Sequence, residues 1–181
     1  MACECNESCK SCFSIWHYIN VLLLLSITGL GVYYWGRLPD NMPVHFGLDG
    51  TPDRWSSRGG EFLLIFIVPW GLTAFMYLIS LLAGAARKNP QFMNIPNKEK
   101  FLKLSSAEQE PFFEALKALF YSTAAAVNLL FLLIAYGMTQ VAMGVYDRLP
   151  VWCIWPCLGI VLAFAIGNTI RLMRISYRIT K

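Results

Sequence analysis

Four long apolar runs, separated by short polar connections, constrain this chain more than any other feature of its sequence. They cover residues 15–36, 62–86, 115–141 and 150–170. Each is long enough to cross a hydrocarbon core of about 30 Å, which takes roughly 20 apolar residues as a helix. No Asp, Glu, Lys or Arg lies deep inside any run; Lys117 sits near an end, where its stem can reach back to the interface. Only 14% of the chain is charged, against about 25% in soluble domains. The expected fold is all-α: a four-helix integral membrane bundle forming one domain over residues 15–181, preceded by a Cys-containing segment, residues 1–14. That segment lacks the basic start and small-residue cleavage site of a signal peptide, so the first helix is expected to stay.

The basic residues predict an orientation. With the amino terminus inside, eleven Lys and Arg residues fall on the cytoplasmic side: Lys10, Arg87, Lys88, Lys98, Lys100, Lys103, Lys117, Arg171, Arg174, Arg178 and Lys181. Four fall outside: Arg37, Arg54, Arg58 and Arg148. Short loops obey the positive-inside rule, so both termini are expected in the cytoplasm. The bilayer is the first partner this implies, and the basic residues beside the apolar runs suit lipid head groups rather than nucleic acid.

The connections differ in kind. The cytoplasmic one carries Pro90, Pro96 and Pro111, and either Ser105 with Glu108 or Ser106 with Gln109 reads as a capping box. The third helix is therefore expected to begin ahead of the membrane. The first outer connection is long for a helix–helix loop, and such loops are usually functional or disordered. This one holds Val44, Phe46, Leu48 and Trp55, together with Pro39, Pro43 and Pro52 and the turn dipeptide Asp49-Gly50. That composition predicts a structured extracytoplasmic lid with a small hairpin, anchored by Trp55.

At this loop, Leu38-Pro39-Asp40, Pro43-Val44-His45-Phe46, Asp49-Gly50 and Pro52-Asp53-Arg54-Trp55 resemble a bacterial membrane family of unknown function. The same domain forms the amino-terminal part of SdpI-type immunity proteins, which protect cells against a secreted killing peptide and take part in signalling. Residues 94–101, Asn-Ile-Pro-Asn-Lys-Glu-Lys-Phe, also look like the stand-alone four-helix members. The resemblance implies a bacterial inner-membrane location and, by analogy alone, immunity or signalling through the outer loop.

Several chemistries stay open on the residues. Pro39, Asp40, Pro43, His45, Phe46, Asp49, Gly50, Asp53 and Trp55 could form a surface for an extracytoplasmic peptide or another envelope ligand, with Phe46 and Trp55 as apolar anchors. His45 with Asp49, Asp53 and Asp40 could instead supply a metal site, although each aspartate also stands in a common turn setting. Cys3, Cys5, Cys9 and Cys12 could hold Zn²⁺ or an iron–sulfur cluster, but only Cys9-x-x-Cys12 has a usable spacing, and free or acylated thiols suit a cytosolic face as well. Cys153 and Cys157 are expected to pack, since a disulfide within one helix is strained. Asn128 and Asn168 are expected to hydrogen-bond between helices rather than line a pathway.

No nucleophile–base pair, phosphate-cradling glycine loop or HExxH pattern is present. A non-enzymatic membrane protein without a cofactor is therefore the first expectation. A metal-dependent membrane enzyme using His45 and a small transporter subunit acting as a homo-oligomer are the alternatives.

Overall fold

The computed structural model describes residues 7–181, with side chains from Ile15 onward. Its helices are α1 (Glu7–Trp35), α2 (Leu64–Ala85), a short α3 (Lys98–Phe101), α4 (Ser106–Ala142) and α5 (Val151–Ile179). Between α1 and α2 lie two strands, β1 (Asn41–Phe46) and β2 (Pro52–Ser57). Among the described residues, four helices are long and apolar enough to cross a membrane. The chain is a multi-pass, all-α membrane bundle with one small sheet.

Three of the four spans sit inside longer helices than their apolar runs alone suggest. α4 begins at Ser106, where Ser105 caps it: the Ser105 hydroxyl accepts from the Glu108 amide at 3.4 Å, and the Glu108 carboxylate accepts from the Ser105 amide at 2.8 Å. α5 continues past residue 170 to Ile179 and carries Arg171, Arg174 and Arg178 within the helix. Cys3 and Cys5 lie outside the described residues; Cys9 and Cys12 fall on α1, ahead of the first described side chain.

α4 is the hub. It packs against α1, α2 and α5 and holds more buried positions than any other element. Many of these are small: Ala115, Ala124, Ala125, Ala135 and Gly137. Lipid tails are as apolar as leucine, so close backbone approach and polar bonds between helices hold such a bundle together. Gly137 leaves room for the α4–α5 connection, since a Cβ there would lie 2.7 Å from Leu149 Cδ1.

Polar bonds join all four long helices. Asn128 of α4 is 1% exposed; its amide nitrogen donates to Asn20 Oδ1 on α1 and to Thr73 Oγ1 on α2, both at 2.9 Å. Asn20 in turn donates to the Trp16 and Tyr121 carbonyls at 2.9 and 3.0 Å. Asn168 of α5 donates to Ser122 Oγ on α4 at 3.1 Å. Cys153 donates to the Pro150 carbonyl at 3.0 Å, and Cys157 is buried as a free thiol.

Apolar side chains gather at the two ends of the bundle. Ile95, Phe101, Phe112 and Phe113 seat the α2–α4 connection against the end of α5. Leu38, Met42, Phe62, Met138 and Leu149 form the opposite cluster, beneath the hairpin.

Candidate functional site

The hairpin is built by its turn and its bulge. Asp49-Gly50 closes it: the Gly47 amide donates to the Thr51 carbonyl at 2.8 Å, and Gly50 takes a φ of +83°. Asp49 caps the turn by accepting from the Thr51 hydroxyl at 2.6 Å and from the Thr51 amide at 3.1 Å. These bonds, the hydroxyl first, hold the exposed Asp49 carboxyl below the usual carboxylate range. The ionised form is therefore favoured in the fold. The turn's contribution is complete above the ordinary carboxylate pKa and fades as pH falls through the lowered one.

The strands pair antiparallel, with Met42 opposite Ser56 and Pro43 opposite Trp55. The register then slips near Val44, so that His45 faces Arg54 and Phe46 faces Pro52. Below the slip, Met42 points inward and is fully buried against Phe62 and Met138.

Three contacts dock this hairpin on the helices. Leu149, in the α4–α5 loop, donates its amide to the Gly50 carbonyl at 2.8 Å. Arg58 donates through Nη1 to the Trp35 and Leu38 carbonyls, both at 3.0 Å, and its guanidinium lies 5.2 Å from the Trp35 ring. Its amide also donates to the Asp40 carbonyl at 2.8 Å. One arginine thus ties the end of α1 to the base of the hairpin. The sequence showed it only as one basic residue among four on that side.

Trp55 is not the anchor expected of it. It is 46% exposed, whereas Met42 and Phe62 are each 0% exposed. Beside a bilayer a tryptophan can stay half in contact with its surroundings, because its ring suits the interface without burial.

Between the hairpin and the helices runs a groove of about 450 Å³. Its rim is polar: His45, Arg54 and Glu61. Val44 and Phe46 form one wall; the other and the floor come from Leu64, Ile65 and Val68 of α2 with Phe131, Ile134 and Met138 of α4. The rim groups are partnered in pairs. Arg54 and Glu61 form a two-point ion pair, Nη2–Oε2 at 2.9 Å and Nη1–Oε1 at 3.3 Å. His45 Nδ1 meets Asp53 Oδ1 at 2.6 Å.

Of the expected site residues, Val44's neighbours His45 and Phe46 reach this groove; Pro43 packs beneath the strand, and Gly50 docks the turn. Asp40 lies 3.5 Å from Arg58, and Pro39 sits in the bend between α1 and β1. His45, Asp49 and Asp53 do not converge on one point, because Asp49 is taken up by Thr51 while Asp53 holds His45. Among the described residues no three His, Cys, Asp or Glu side chains come together as metal ligands. A further cluster is one the sequence does not single out: His17 Nδ1 lies 2.9 Å from the Tyr77 hydroxyl, and both rings pack on Tyr121 at centroid distances of 4.6 and 4.5 Å. Only the lone histidine within the first apolar run could have signalled it.

Residues 22–68 match the model of a domain of unknown function (DUF1648). The matched segment runs from α1 through the hairpin into α2. It thereby includes the rim of the groove and its α2 wall, while the α4 side lies beyond it. An uncharacterized protein of Archaeoglobus fulgidus is 36% identical over 80 residues, 41% of this chain. The alignment spans 43% of that relative, so the chain covers less than half of its length. No solved structure matches the chain.

Proposed function

We propose that the chain is a non-enzymatic plasma-membrane protein that binds an amphipathic envelope ligand in the groove beneath its outer hairpin. The ligand class is the apolar peptide or acylated molecule, and the physiological role is SdpI-like immunity or the signalling associated with it. The groove supports this reading: apolar walls on membrane-spanning helices lie under a polar rim whose side chains already bond one another. Such a site rewards an apolar side chain or acyl tail with a polar end, and gives little to a strongly charged solute. Trp55 and Leu48 stand exposed on the same hairpin, and large exposed apolar groups on a rigid turn suit recognition. The eleven-to-four division of basic residues supports a cytoplasmic position for both termini.

Orientation has a direct test. In a cysteine-free background, a reporter cysteine at Ser57 should react with an impermeant thiol reagent added to intact spheroplasts, and one at Ser105 only after lysis. The reverse pattern would put the hairpin in the cytosol and end the proposal.

Protection is the test of function. Producing the chain in cells sensitive to an apolar secreted killing peptide should raise survival. Val68→Trp, which fills the groove from a position 36% exposed, should abolish that protection at unchanged protein level. Full protection by the Val68→Trp variant would remove the groove from the function.

A further inference from the structure

A second cavity, of about 370 Å³, opens between α2 and α4 at the end of the bundle that carries the α2–α4 connection. Ser80, Leu81, Gly84, Arg87, Lys117 and Tyr121 line it. Two glutamates hold the cations from outside the lining: Arg87 Nη2 lies 2.8 Å from Glu110 Oε1 and 3.3 Å from Glu114 Oε1, and Lys117 Nζ donates to Glu114 Oε1 at 2.8 Å. No carboxylate lines the cavity itself.

Two donors there lack a partner. Ser80 is 1% exposed, and neither its hydroxyl nor the buried Nε of Arg87 has a hydrogen-bond partner among the described residues. Burying such groups unpaired is costly, so an acceptor within the cavity would be strongly favoured. Space for it exists, because nothing lies within 4 Å of where a Cβ on Gly84 would stand. The surrounding α2 face is apolar and open, with Leu78, Leu81 and Leu82 all exposed. Arg87 follows the last turn of α2, the height at which a helix leaves the hydrocarbon and meets lipid phosphates.

We propose that this cavity binds a phosphate group, carried either by an anionic phospholipid or by a soluble phosphate. Ser80, Arg87 Nε and Lys117 supply the hydrogen bonds, a donor set that matches phosphate oxygens. The two cations are balanced by two carboxylates, so directed bonds rather than net charge hold the group. That favours a singly charged diester over a dianion, with its acyl chains running along Leu81.

The full chain, purified in mild detergent, is titrated with phosphatidylglycerol, phosphatidylcholine and inorganic phosphate, and binding is read by native mass spectrometry and phosphorus NMR. Ser80→Ala removes one donor with little change in packing, and Gly84→Leu fills the space. We expect saturable phosphatidylglycerol binding that weakens about tenfold in Ser80→Ala, the loss of one hydrogen bond to a charged group. Gly84→Leu should weaken it further, and Ser80→Ala should melt like the wild type. If the source is lipid, inorganic phosphate will not displace phosphatidylglycerol; if it is soluble, phosphate will bind and show the same losses in both variants. Absence of saturable binding to any of the three ligands overturns the proposal, and so does binding that neither variant weakens.

Discussion

Replacing Gly50 by valine is expected to detach the hairpin from the bundle. Gly50 holds a φ of +83°, and an ideal Cβ would lie 2.3 Å from the Leu149 carbonyl oxygen. A β-branched residue resists that backbone region, and the obstruction is rigid backbone rather than the end of a flexible side chain. The variant must abandon either the turn or the hydrogen bond that Leu149 donates to the Gly50 carbonyl. Together these are expected to cost about 2–4 kcal/mol, from backbone strain plus a lost docking contact. Thermal unfolding in detergent should show the loss, and external protease should cut the loop. Gly59→Ala is the control: its Cβ would meet nothing within 4 Å, and its φ is not positive, so stability should hold. Equal behaviour of the two variants would mean that the hairpin is not seated on the α4–α5 loop.

The other large effect is expected at Phe62. This ring is fully buried, packs edge-on against Phe66 at 5.4 Å, and shares a cluster with Met42, Met138 and Leu149. Truncating a buried phenylalanine costs about 3–5 kcal/mol, through lost contact and the cavity left behind. Phe62→Ala should therefore lower the melting temperature sharply. Trp55→Ala should change stability by less than about 1 kcal/mol, because nearly half of that residue is already exposed. If Trp55→Ala proved the more damaging, the docking of the hairpin described above would be wrong.

These two residues also show what the sequence makes legible. The membrane class was plain, because a charge-free run of some 20 residues has few other uses. The capping box at Ser105 and the turn at Asp49-Gly50 were legible too, since each is a local pattern spanning a few residues. Burial within the hairpin was not. Val44 and Phe46, two apart, do face the buried cluster with Met42, but Leu48 lies beyond the end of β1, in the turn. Leu48 is 82% exposed, while Met42, at the start of the strand, is fully buried.

Long-range partners were hidden for a different reason. Asn128 was marked as a polar residue needing a bond, yet Asn20 lies 108 positions away and Thr73 lies 55 away. Nothing local could name them. The same holds for Arg58, whose carbonyl partners on Trp35 and Leu38 exist only once α1 has ended and the hairpin has turned back. The groove is a still more remote consequence. Its lining joins the hairpin and α2 to α4 residues such as Phe131 and Ile134, which in sequence are ordinary members of an apolar run.

The central claim is that this groove holds an amphipathic ligand, and photo-crosslinking from within it is the most direct test. A benzophenone side chain placed at Leu64, on the groove's α2 wall and 53% exposed, is irradiated in native membranes with the full chain. Ile160 of α5, 53% exposed and lining neither cavity, serves as the lipid-facing reference. An adduct with an acylated or apolar peptide species is predicted at position 64 that position 160 does not give, and that Val68→Trp abolishes. Identical bulk-lipid adducts at both positions, unaffected by Val68→Trp, would contradict it.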